Sequence, residues 1–217
     1  MVRELRLKIS PQQERGNDPM ELKREDTPAP ASNQGACLQF LPTNVSDAVI
    51  VDPIRREDHR GYFARKWCMK EFTDHGIDFI PLQASVALNL RRGTIRGMHL
   101  QVEPALEAKL IHCTQGSLFD VVLDLRPESA TYGKWHGTVL SAENQRMLYI
   151  PERCGHGYQT LEDSTVVYYL TSQYFTPSTA RGVRFDDRAF RIEWPLTPTT
   201  ISEQDRNWPP AVEGSPL

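Results

Sequence analysis

No stretch of this sequence approaches the roughly 20 apolar residues that a helix needs to cross a bilayer. The N-terminus also lacks the apolar segment and small-residue cleavage site of a secretory signal. Only four cysteines occur, Cys37, Cys68, Cys113 and Cys154, and they form no close pair and no CxxC unit. That spacing supports neither a zinc motif nor a disulfide framework, and isolated thiols suit a reducing cytoplasm. No glycine-rich phosphate loop, Walker lysine or dinucleotide-binding fingerprint is found. Nor is charge of one sign in large excess: a net charge of -3 argues against nonspecific binding to nucleic acid or an anionic membrane. A local basic pocket for a phosphorylated ligand stays open.

What is present suits one globular domain. A chain of 217 residues buries one good core, and 39% hydrophobic residues with four tryptophans is ordinary for such a fold. Residues 1–36 are rich in Pro, Gln, Asn, Glu and Lys and read as a flexible extension. Residues 37–217 read as the folded domain. Within it, Ala48 to Val51 predicts a short strand stopped by Pro53, and Glu71 to His75 before Gly76 predicts a turn or two of helix. Strand then follows strand: Ser85 to Leu90, Thr94 to Gln101, Lys109 to Thr114 and Leu118 to Leu125. In the last of these, Phe119, Val121, Leu123 and Leu125 share one face, and Asp120 and Asp124 the other. Trp135 to Leu140, Arg146 to Ile150, Tyr158 to Leu161 and Thr165 to Tyr174 continue the series. Many short strands with almost no helix predict an all-β sandwich or barrel, a jelly roll being the preferred version among antiparallel barrels. The Pro-rich tail after Trp194 is expected to wrap over the barrel, with Ile201 to Asp205 as a helical turn.

Several residues carry possible chemistry, each with an ordinary alternative. His99 lies inside a strand, and its residue type titrates near neutrality, yet a lone strand histidine is by default structural. His156 sits between glycines in what reads as a turn at the mouth of a strand. Arg96 and His99 are three apart, so strict alternation sends them to opposite faces. Gly97 between them can mark a bulge that brings both to one cavity. Lys109 has apolar neighbours on its face at Ile111 and Cys113. Pointing inward, it needs an anion beside it; pointing outward is the commoner case. Tyr168 and Tyr169 are adjacent, so one faces each way. Asp205 alone reads as a solvated acid. Gln101 stands two after His99, where a metal-binding barrel would carry a second histidine, so no metal is expected.

In their order and spacing, several segments together resemble the dTDP-4-dehydrorhamnose 3,5-epimerase family. These are Arg60-Gly-Tyr-Phe, Ile95-Arg-Gly-Met-His-Leu-Gln, Ala108-Lys-Leu-Ile, Phe119-Asp-Val-Val-Leu-Asp-Leu-Arg, Leu140-Ser-Ala-Glu-Asn, Ile150-Pro-Glu through His156-Gly, and Glu193-Trp-Pro. The resemblance runs from about Ile50 to Asp205 and implies a cupin-type jelly roll that forms a homodimer. It implies no cofactor and a nucleoside-diphosphate 4-keto-6-deoxy sugar, dTDP-linked, as partner. It carries the catalytic base onto His99, its paired carboxylate onto Asp205, the general acid onto Tyr169 and the lysine near the C4 oxygen onto Lys109. Substrate contacts fall on Arg60, Arg96 and His156. Phe63 and Gln83 lie in segments lining the nucleotide pocket, and Asp120 matches a carboxylate deep in the barrel. The implied reaction removes and returns a proton beside a ketone at C3, C5 or both. Alternative readings are a sugar-nucleotide 3,4-ketoisomerase and a non-catalytic binding barrel. Arg65, Pro81, Gln83, Phe175 and Arg181 depart from the family pattern. Losing acidic residues and gaining arginines there alters contacts to the base, the pyrophosphate or a partner subunit.

Overall fold

The computed structural model describes residues 37–211; the expected extension through Ala36 and the last six residues lie outside the described residues. The chain opens with β1 (Leu38–Pro42), β2 (Val49–Pro53) and a small hairpin of β3 (Arg56–Asp58) and β4 (Gly61–Phe63). Helix α1 (Met69–Asp74) follows, ended by Gly76 at a φ of 74°, a left-handed stop that glycine takes without cost. Then come β5 (Gln83–Asn89), β6 (Ile95–Gln101), β7 (Lys109–Gln115), β8 (Ser117–Asp124) and β9 (Trp135–Ser141). After them run β10 (Met147–Ile150), β11 (Cys154–Thr160), β12 (Thr165–Thr171), β13 (Ala180–Gly182) and α2 (Glu203–Arg206).

The strands form two main antiparallel sheets. One has six strands in the order β1-β2-β10-β7-β12-β5; the other has five, β13-β6-β11-β8-β9. Ile111, Cys113 and Val167 of the first sheet meet Leu118, Val122, Leu140 and Tyr158 of the second in a buried cluster. Each large apolar side chain so buried stabilises the fold by about 1.5–3 kcal/mol. This is the all-β jelly-roll architecture expected.

Two further clusters cover the outer faces. Phe72 of α1 packs with Leu38, Val51, Leu110, Met147 and Tyr149. On the other side Val183, Phe190, Ile192 and Trp194 pack on Val121 and Leu123. The tail after Trp194 wraps the barrel as well, since Leu196 exchanges hydrogen bonds with Gln159, the Thr200 carbonyl accepts the Ile95 N–H, and Ala211 joins this cluster; β8 is buried on both faces. Its two carboxylates face inward, each fully enclosed. Asp124 survives there because Arg126, Ser129 and Thr131 all donate to it, at 2.5–2.9 Å. Asp120 has a different partner, described below.

Candidate active site

The site begins with an irregularity in β6. His99 pairs with His156 of β11 and Arg96 pairs with Tyr158, so three steps on β6 match two on β11. One extra residue lies between Arg96 and His99, at Gly97 and Met98, which is the bulge that Gly97 suggested. Gly97 sits at a φ of 121°, and a Cβ there would come within 2.5 Å of Gly157 Cα and 2.7 Å of the His156 carbonyl oxygen. Only glycine fits both the angle and the space. The shift turns Arg96 and His99 toward one cavity of about 380 Å³, which Thr94, Ser202, Gln204 and Asp205 also line.

His99 Nε2 lies 2.6 Å from Asp205 Oδ1. Helix α2 delivers the carboxylate: Ser202 caps it, its hydroxyl accepting the Asp205 backbone N–H at 3.0 Å. Asp205 also accepts the N–H of Gly97 and, at 3.4 Å, the Trp208 indole N–H. Burial alone would raise this carboxyl; the hydrogen bond and charge of His99, with the N–H of Gly97, hold it below its ordinary value. An ionised Asp205 accepts from Nε2–H, which leaves the lone pair on Nδ1 as the basic nitrogen.

Lys109, at the start of β7, points inward and is 9% exposed. The anion it requires is Glu107, whose Oε1 lies 3.2 Å from Nζ, and Nζ also donates to the His99 carbonyl at 3.3 Å. Gln101 Nε2 donates to the other Glu107 oxygen at 2.9 Å. Deeper in, His156 Nε2 and Asp120 Oδ1 are 2.7 Å apart, both side chains buried. Burial pushes Asp120 up and His156 down, each against the pull of the other, so the enclosed pair is driven toward its neutral forms. Asp120 Oδ2 has no hydrogen-bond partner among the described residues.

Tyr169 enters from the opposite sheet, on β12. Its ring meets His156 edge-on, with centroids 6.1 Å apart. Burial raises its hydroxyl well above the ordinary tyrosine value, so it stays protonated. Tyr168 turns outward, lining a separate cavity of about 220 Å³ with Lys66 and His112.

The remaining expected residues scatter. His156 lies inside β11 rather than in a turn before it, because Gly155 and Gly157 mark close packing. A Cβ on Gly157 would meet Met98 Sδ at 2.6 Å. Arg60 and Phe63 do not line the His99 cavity. They sit exposed on the β3–β4 hairpin, with Arg60 paired to Asp58 at 2.6 Å. Gln83 opens β5 and accepts the Phe175 N–H at 2.8 Å. Among the departures, Arg65 pairs with Glu71 at 3.1 Å, and Glu71 also takes the N–H groups of Cys37 and Leu38. Glu71 thus ties α1 to β1, and Arg65 balances its charge. Arg181 donates to the carbonyls of Ser178 and Ala180 beside it. Residue-by-residue reading missed Glu107 and Asn89. Glu107 two positions before an inward lysine, and a polar Asn89 ending an apolar strand, were the available signals.

The arrangement sets a carboxylate-backed imidazole on one sheet and a protonated phenol on the other, with the Lys109 amine reaching across to the His99 backbone carbonyl. A family model described as dTDP-4-dehydrorhamnose 3,5-epimerase matches residues 42–213. A dTDP-4-dehydrorhamnose 3,5-epimerase from Methanothermobacter thermautotrophicus is 37% identical over 179 residues, covering 81% of this chain and 96% of that one. The Bacillus anthracis enzyme of the same name, solved with TDP and PPi bound, superposes with a TM-score of 0.78. It is 35% identical and covers 80% of this chain and 99% of that one. ChmJ, a 3'-monoepimerase from Streptomyces bikiniensis solved with dTDP-quinovose, gives a TM-score of 0.72 at 30% identity. It covers 78% of this chain and 86% of that one.

Proposed function

The chain belongs to the dTDP-4-dehydrorhamnose 3,5-epimerase family and is an epimerase of deoxysugar biosynthesis, and from that premise we propose how its own residues perform the reaction. The substrate is a dTDP-linked 4-keto-6-deoxyhexose. His99 Nδ1 removes a proton from the carbon beside the ketone, with Asp205 holding the ring and stabilising the imidazolium. Electrons move from the breaking C–H bond into an enolate, whose oxygen the Lys109 ammonium stabilises. Tyr169 returns a proton from the other face, and the carbon inverts. The observation that carries this reading is the 2.6 Å contact of His99 with Asp205 on one sheet, set against Tyr169 on the other.

Arg96 and His156 supply contacts to the sugar nucleotide, with the fully enclosed Asp120 behind His156 orienting its ring. Arg60 and Phe63 are exposed and do not line the His99 cavity, so we assign their contacts to substrate to a site shared with a second copy. A homodimer is supported by the outer face of the edge strand β5. Val86 and Leu88 there, with Leu90 just beyond, are exposed at 65%, 52% and 68%. The setting is cytoplasmic.

The test is incubation with dTDP-4-keto-6-deoxyglucose in deuterated water, followed by NMR. Deuterium should enter at C3, C5 or both, with the carbonyl staying at C4. A carbonyl that moves to C3 would mark a ketoisomerase instead, and tight binding without any exchange would mark a non-catalytic barrel. Deuteration at C3 alone would align the chain with the 3'-monoepimerases.

A further inference from the structure

Tyr169 has a companion that the mechanism above leaves unused. The Tyr158 ring on β11 is tilted against that of Tyr169, with centroids 6.4 Å apart, and each phenol is close enough to shift the other's titration. Tyr158 is 1% exposed, and its hydroxyl also contacts Asn89 Oδ1 at 3.2 Å. Asn89 is fixed from both ends. Its amide nitrogen donates to the Thr165 carbonyl at 3.1 Å, and its oxygen accepts Arg96 Nε–H at 2.8 Å. An amide oxygen only accepts, so Tyr158 is the donor to Asn89, and the lone pairs of its own oxygen remain for Tyr169.

This matters for an acid half-buried between the two sheets. When Tyr169 protonates the substrate carbon, a C–H bond forms, the O–H bond breaks, and the electron pair stays behind as phenolate. A buried phenolate lacks the hydration that stabilises it in water, which is why burial holds the Tyr169 proton so firmly. Its available compensations are the Arg96 guanidinium nearby and the hydroxyl of Tyr158. That hydroxyl can turn from Asn89 onto the phenolate while Asn89 keeps its bond to Arg96. Burial also raises Tyr158, so it is neutral near pH 7 and able to donate.

We propose that Tyr158 is a positioning residue for the general acid, held on Asn89 at rest and swinging its hydroxyl onto Tyr169 as the proton leaves. The proposal rests on Tyr169 being that acid. Tyr158→Phe removes one oxygen and keeps the ring. In deuterated water its kcat for inversion should fall about tenfold or more, with KM within about twofold. The ratio of deuterium exchanged without inversion to inverted product should rise to match, because His99 still removes and returns protons on its own face. That continuing exchange also reports a folded site. Tyr169→Phe should leave only residual inversion, and adding Tyr158→Phe to it should cost nothing more. An unchanged ratio in Tyr158→Phe, a parallel loss of exchange and inversion, or a further multiplied loss in the double variant would overturn the proposal and leave Tyr169 as the acid. Undiminished inversion in Tyr169→Phe would overturn the acid assignment and the proposal with it.

Discussion

At the scale of single residues the proposed reaction depends on His99 and its carboxylate. Asp205→Asn keeps the shape but removes the charge that fixes the imidazole tautomer. It should lower kcat on the order of 10²-fold with little change in KM, measurable by steady-state assay of the epimerised product. A variant with full kcat would separate Asp205 from the base. The stretch around His99 told much in advance: Gly97 between Arg96 and His99 announced the bulge that unites them. Asp205 told nothing on its own, since its partner is 106 positions away and spacing carries no record of so distant a closure. Only the ordered resemblance of the motifs pointed to that carboxylate. Lys109 was ambiguous for a related reason, because its direction depends on Glu107, an acid that reads as solvated until the strand is known to run inward.

The decisive element is β6, where one extra residue re-aims two side chains. Gly97→Ala puts a methyl group against Gly157 Cα and the His156 carbonyl at a backbone angle that alanine avoids. The variant should lose about 2–3 kcal/mol of stability, read by thermal unfolding, and most of its activity. Unchanged stability would show that the strand tolerates a different course. Strands of β-branched and aromatic residues, such as β12, were legible from composition and alternation. The hairpin β3–β4 was not: Arg-Glu-Asp is charged throughout, and Gly-Tyr-Phe, three residues long, is too short to show a period. The start of β11 was hidden differently, because glycines that signal turns elsewhere serve close packing against Met98 there.

For the whole molecule, acid stability and assembly are the measurable consequences. Asp124 is held down to about 2 by hydrogen bonds from Arg126, Ser129 and Thr131 working against burial. A carboxyl lowered in the folded state stabilises fully above its ordinary value near 4 and loses that contribution as pH falls toward 2. Asp124→Asn should therefore cost about 2–4 kcal/mol at pH 7 and flatten the acid limb of a stability–pH curve. An acid limb identical to wild type would contradict that role. Light scattering should find a dimer, and Leu88→Asp, which sets a charge in the exposed apolar stripe, should shift it toward monomer; a monomeric wild type would remove the proposed assembly. The claim beneath all of this is that His99 takes the proton beside the ketone. The most direct measurement is the rate of C–H to C–D exchange on dTDP-4-keto-6-deoxyglucose, compared between wild type and His99→Ala. The rate should fall on the order of 10²- to 10⁴-fold in the variant, with substrate still bound. Exchange in His99→Ala at the wild-type rate would contradict that claim.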